Sequence, residues 1–125
     1  MCNSKQKYEM ITIYHNPRCT KSREGLCEIE NLNKSFTIRK YLDEPFTKNE
    51  LKEVIKKLNI KPLELVRTKE TIWIENYKGK ELTDEEIIDA LLLHPKLIER
   101  PIVVIGNKAI IARPKEKINE LLQQF

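Results

Sequence analysis

The chain has 125 residues, a length that fits one domain with an ordinary apolar core and no need of disulfide staples. Lys and Arg number 23 against 19 Asp and Glu, a formal net charge of +4 with both signs interspersed. That distribution excludes a nucleic-acid-binding tail and suits small anions, while 40% hydrophobic and 34% charged residues exclude a disordered chain.

The longest apolar runs, Ala90 to Leu93 and Ile102 to Ile105, are far too short to cross a bilayer. Residues 1–8 read as a tail without the apolar stretch of a secretion signal, so a cytoplasmic, membrane-free chain is expected. Cys2, Cys19 and Cys27 form no C-x-x-C, and His15 and His94 lie far apart. Free thiols are therefore expected, with neither a disulfide framework nor a metal site.

The β-branched run Met10 to Tyr14 predicts a first strand, ending at the turn signal His15-Asn16-Pro17. A helix should open between Cys19 and Ser22, with Leu26, Ile29 and Leu32 as its apolar side and Asn33 as its terminator. Phe36 and Ile38 alternate with polar residues in a short second strand ending near Tyr41. Thr47-x-x-Glu50 and Thr83-x-x-Glu86 have the capping-box form, each followed by an amphipathic stretch. Between them Pro62 to Val66 predicts a short helical turn, and Glu75 to Lys80 reads as a polar loop. Gly106-Asn107 predicts a tight hairpin between Ile102–Ile105 and Ala109–Ala112. Pro114 then marks a last helix, with Ile118, Leu121, Leu122 and Phe125 as its stripe. The opening β-α-β implies a parallel pair and the hairpin an antiparallel one. This is the element order of an α/β, thioredoxin-like mixed sheet with a helical insertion, over about residues 45–98, between strands 2 and 3.

Cys19 follows a strand and a turn and stands at a helix start, where backbone N–H groups favour a thiolate and bound anions. Arg18, Lys21 and Arg23 add positive charge nearby, and a protonated His15 would add more. Ser22 stands where a dithiol motif would need its second cysteine, and Gly25 where a Cys-x5-Arg phosphatase loop would need arginine. Both chemistries are therefore excluded. Cys27 lies off the apolar stripe and could resolve a Cys19 adduct only if the helix start rearranged.

With Gly106-Asn107 as the loop, Ile105 faces Lys108, and counting back along the ladder Arg100 faces Arg113. Like charges directly opposite destabilise a strand pair unless an anion lies between them, and guanidinium geometry suits an oxyanion. The alternative is that the strands splay and both arginines face solvent. Pro101, just before the third strand, is expected to follow a cis bond and to face Cys19; a trans proline at an edge-strand start is the alternative.

The segment Tyr14-His15-Asn16-Pro17-Arg18-Cys19-Thr20-Lys21-Ser22-Arg23 resembles the active-site loop of the glutaredoxin-linked arsenate reductase family. Leu65 to Lys69, Leu82 to Glu86, Leu97 to Val104 and Ala112 to Pro114 resemble its later blocks, in order. The likeness runs from about residue 10 to 122, departing at Thr20-Lys21, where better-known members carry Gly-Thr. The resemblance implies a thioredoxin-like fold with a helical insertion; a monomer without a bound cofactor is expected. It implies that Cys19 attacks arsenate, that glutathione enters as co-substrate, and that glutaredoxin supplies reducing power. Arg67, Arg100 and Arg113 match the oxyanion-binding arginines, and His15, with Ser22 and Arg23, would activate the cysteine. Two further readings are a monothiol reductase of glutathione mixed disulfides and a non-catalytic, Spx-like regulator binding RNA polymerase. Such regulators usually carry a C-x-x-C and need no complete arginine set.

Overall fold

The β-branched stretch Ile11–Tyr14 forms the first strand, β1, and alternates buried and half-buried residues. The structure, a computed structural model, describes residues 11–32, 35–113 and 116–122. Met10, Asn33, Pro114, Phe125 and Cys2 lie outside the described residues, as does the Leu122 side chain. Helix α1 spans Thr20–Glu30 and is capped by Cys19 and Asn31, and β2 spans Phe36–Arg39. Arg39 ends that strand, so Tyr41 turns into the core instead of extending it.

Both capping boxes form. Thr47 opens α2 (Lys48–Leu58), which ends on Asn59 in the left-handed region at φ 57°. Thr83 opens α4 (Asp84–Leu93). In each box the hydroxyl and the Glu carboxylate take N–H groups that the helix start would otherwise orphan. Proline begins the 3-10 turns Pro62–Leu65 and Pro95–Leu97, positions where its missing N–H costs nothing. Of the loop expected from Glu75 to Lys80, residues 77–80 form a turn, while Glu75 and Asn76 instead close α3 (Thr71–Asn76), whose Trp73 is buried and stacks on Tyr77 at 5.2 Å.

Strands β3 (Ile102–Ile105) and β4 (Lys108–Ile111) form the hairpin. Gly106 takes φ 58° at the first turn position, where a side chain would be strained. The register runs Ile105 to Lys108 through Ile102 to Ile111. The sheet order is β2-β1-β3-β4, with β1 parallel to β2 and antiparallel to β3. At the edge, β2 leaves Ile38 exposed rather than covered, because a terminal strand has a neighbour on one side only.

Alternation along the strands divides the core. Ile11, Ile13, Val103 and Ile105 pack with Ile29 of α1 and with Ile118 and Leu121 of α5 (Lys117–Leu122). Ile102, Val104 and Ala109 pack on the opposite side with Tyr41, Phe46, α2, α3 and α4. This α/β, four-stranded mixed sheet is a thioredoxin-like arrangement, with its helical segment inserted between β2 and β3. Among the described residues no helix is long and apolar enough to cross a membrane.

Candidate active site

The loop from β1 to α1 is built around Asn16. Its carbonyl accepts the Cys19 N–H at 3.0 Å, its side-chain oxygen accepts the Arg18 N–H at 3.0 Å, and its own N–H donates to Ser22 Oγ at 2.9 Å. These bonds set Cys19 as the N-cap of α1, with φ −100° and ψ 124°. The sulfur closes no capping hydrogen bond of ordinary geometry. Its pKa is nevertheless lowered. Burial opposes ionisation most, but the Ser22 N–H, the charge and hydrogen bond of Arg100, and the Lys21 N–H together outweigh it.

Ser22 is fully buried and its Oγ lies 2.8 Å from Nδ1 of the buried His15. Burial, then the Lys40 charge, push the His15 pKa down. His15 is thus a neutral ring at neutral pH, and the positive charge that a protonated His15 would bring is not what it supplies. It stands against Ser22, the residue whose N–H faces Cys19. The Arg23 guanidinium donates to Pro17 O at 2.9 Å and Thr20 Oγ1 at 3.2 Å, fastening the loop that presents Cys19. Lys21 pairs with Glu24 at 3.7 Å on the exposed face. Cys27 is exposed on α1.

Arg100 precedes Pro101 across a cis peptide bond. Proline 101 is buried against α1, where Gly25 makes room: a Cβ there would stand 2.7 Å from Pro101 Cγ. Arg100 Nε is buried and has no hydrogen-bond partner among the described residues, an unsatisfied donor beside an ionisable sulfur.

The hairpin ladder continues one step past β3 and β4, with Ala112 N–H donating to Pro101 O at 2.9 Å. Arg113 then turns away, its N–H donating back to Ile111 O at 2.8 Å. Arg100 and Arg113 therefore do not repeat the ladder: Arg113 pairs with the Glu99 carboxylate at 3.4 Å, while the positive charge of Arg100 favours the ionised Cys19 sulfur. Arg67 comes alongside through the bridge between Val66 and Ile98, its N–H donating to Leu97 O at 2.7 Å. Its guanidinium pairs with Glu70 at 2.8 Å. Of the three arginines, Arg100 acts directly on Cys19, while Arg67 and Arg113 sit in ion pairs.

Four residues join the site for which no role there was expected: Gly25, Tyr41, Glu70 and Glu99. The Tyr41 phenol is pushed up to about 12, mostly by burial, against the pull of Arg100 and Arg67, with Cys19 and Glu99 adding to the rise. It is a neutral hydroxyl within the field of the same charges that surround the sulfur. Among the described residues no cluster of His, Cys, Asp and Glu is placed to hold a metal ion.

Residues 14–121 match the sequence pattern of the ArsC family. The chain is 41% identical over 114 residues to an arsenate reductase of Haemophilus influenzae, covering 90% of this chain and 98% of that one. It is 39% identical over 116 residues to the protein YfgD of Escherichia coli K12, covering 91% and 98%. A solved structure titled as an arsenate reductase from Vibrio cholerae superposes with a TM-score of 0.85 at 38% identity, over 90% of this chain and 97% of that one. A match that runs from the strand before Cys19 to the last helix, through every arginine of the site, leaves one conclusion: the chain belongs to the ArsC family.

Proposed function

We propose that the protein is an oxidoreductase that reduces arsenate to arsenite, with Cys19 as nucleophile. The observation that carries this reading is the pairing of a thiol of lowered pKa with Arg100, whose buried Nε has a free donor. A thiolate alone would suit a disulfide substrate; a thiolate beside an unsatisfied guanidinium suits a tetrahedral oxyanion. The names of the H. influenzae relative and the V. cholerae structure supply the element.

In this reading the Cys19 thiolate attacks arsenic and one arsenate oxygen leaves as water after protonation. The guanidiniums of Arg100, Arg67 and Arg113 hold the remaining oxygens, and the neutral Tyr41 hydroxyl faces the same charges. Glutathione sulfur then replaces a second oxygen, again released as water. A glutaredoxin thiol attacks the glutathione sulfur, forming a disulfide and leaving its electron pair on arsenic, which falls from As(V) to As(III). Hydrolysis frees arsenite and returns Cys19 as a thiol. Arg23 and Ser22 hold the loop that presents the sulfur, and His15 fixes Ser22. The chain works as a cytoplasmic monomer with no bound cofactor.

The test is arsenate turnover with glutathione and glutaredoxin by the wild type and Cys19→Ser. Turnover that vanishes with the sulfur supports the reading, and turnover that persists overturns it.

A further inference from the structure

The arginines of the site are not equally free. Arg67 Nη1 lies 2.8 Å from Glu70 Oε2, and Arg113 Nη1 lies 3.4 Å from Glu99 Oε1. The two pairs differ in kind. Glu70 is the N-cap of α3, three residues after Arg67, and its N–H donates to Arg67 O at 3.1 Å. That pair belongs to one turn, and its separation is that of a charge-assisted hydrogen bond. The pair between Glu99 and Arg113 instead crosses from the segment before β3 to the end of β4. It is longer than the usual 2.7–2.9 Å of such bonds, although both pairs are partly exposed to a similar degree.

The Glu99 backbone is itself fixed, its N–H donating to Leu65 O at 2.8 Å. A carboxylate is therefore anchored one residue from Arg100 and rests on Arg113 by a stretched, single contact. We propose that Glu99 is a built-in competitor for Arg113, occupying that guanidinium in the free protein and giving it up to an incoming tetrahedral oxyanion. The inference rests on the oxyanion-binding reading above and deepens it. Glu70 has the opposite role: it orients Arg67 and stays with it. An anion must outbid a carboxylate at Arg113, so Glu99 sets a threshold that a doubly charged tetrahedral anion passes more easily than a singly charged one.

The experiment measures protection of Cys19 from iodoacetamide by sulfate, an unreactive tetrahedral dianion, with peptide mapping to separate Cys19 from the exposed Cys27. The wild type is compared with Glu99→Gln, Glu99→Ala and Glu70→Gln. The expected result is a half-protecting sulfate concentration about threefold lower in both Glu99 variants, the scale of a partly exposed ion pair. In Glu70→Gln it should rise. Equal or higher concentrations in both Glu99 variants overturn the inference. Lack of protection in every protein overturns the anion site and the inference with it. Protection that follows the expected order without arsenate turnover overturns only the arsenate assignment.

Discussion

A Cβ on Gly25 would stand 2.7 Å from Cγ of Pro101, so α1 approaches the residue after Arg100 more closely than any side chain allows. The proline ring cannot rotate aside as a flexible side chain would. Gly25→Ala gains up to about 1 kcal/mol of helix propensity but forces an overpacking cost of about 1 to 3 kcal/mol. The overpacking wins. The variant should lose about 1 kcal/mol in denaturant unfolding, and alkylation at varied pH should find the Cys19 pKa raised, because the helix start and Arg100 part.

Arg100 is the guanidinium that acts on the sulfur by both charge and hydrogen bond. Arg100→Met should raise the Cys19 pKa and, with a charged hydrogen bond contributing about 1.5 to 3 kcal/mol, cut arsenate turnover roughly 10- to 100-fold. Arg100→Lys keeps a charge but not the Nε donor, and should recover only part of that loss. Steady-state rates and alkylation profiles of the two variants check both statements.

His15 refuses a proton in the folded chain that the unfolded chain accepts, since burial lowers its pKa below the ordinary 6.5. The unfolded state therefore binds more protons just below pH 6.5, and stability should fall as pH drops through that value. Denaturant midpoints between pH 7.5 and 5.5 should show this slope in the wild type and a shallower one in His15→Gln.

Arg39 grips Glu50 through both terminal nitrogens, at 2.9 and 3.1 Å, while Glu50 also closes the capping box of α2. The side-chain hydrogen bond to Arg39, then the Thr47 N–H, hold the Glu50 pKa at about 2. The stability it contributes is present above the ordinary carboxylate pKa and is lost as pH falls from there toward 2. The Glu50 side chain is 38% exposed, so solvent screens the pair and the cap dominates. Glu50→Ala should cost about 1 to 2 kcal/mol in denaturant unfolding at pH 7.

Local chemistry made much of this legible beforehand. Gly106-Asn107 allowed only a two-residue loop, and that alone determines the pairing from Ile105 and Lys108 to Ile102 and Ile111. Thr47 and Thr83 announced their helices because a capping box is complete within four residues. Helix α3 escaped the sequence pattern because Thr71–Asn76 is under two turns long and starts on Glu70 without a side-chain cap bond. The partners of Arg67 and Arg113 were illegible for another reason. Charges on a surface-rich sequence have many candidate counterions, and only folded geometry selects Glu70 and Glu99. The close approach of Gly25 to Pro101 likewise joins segments far apart in the chain, with no spacing to betray it.

Every functional statement about this site depends on Cys19 being ionised by its surroundings. The direct measurement is its pKa, from the pH dependence of Cys19 alkylation in the wild type and Arg100→Met. A value below that of an ordinary cysteine thiol, rising when Arg100 is replaced, is the predicted result. An ordinary or higher value, indifferent to Arg100, would contradict the account.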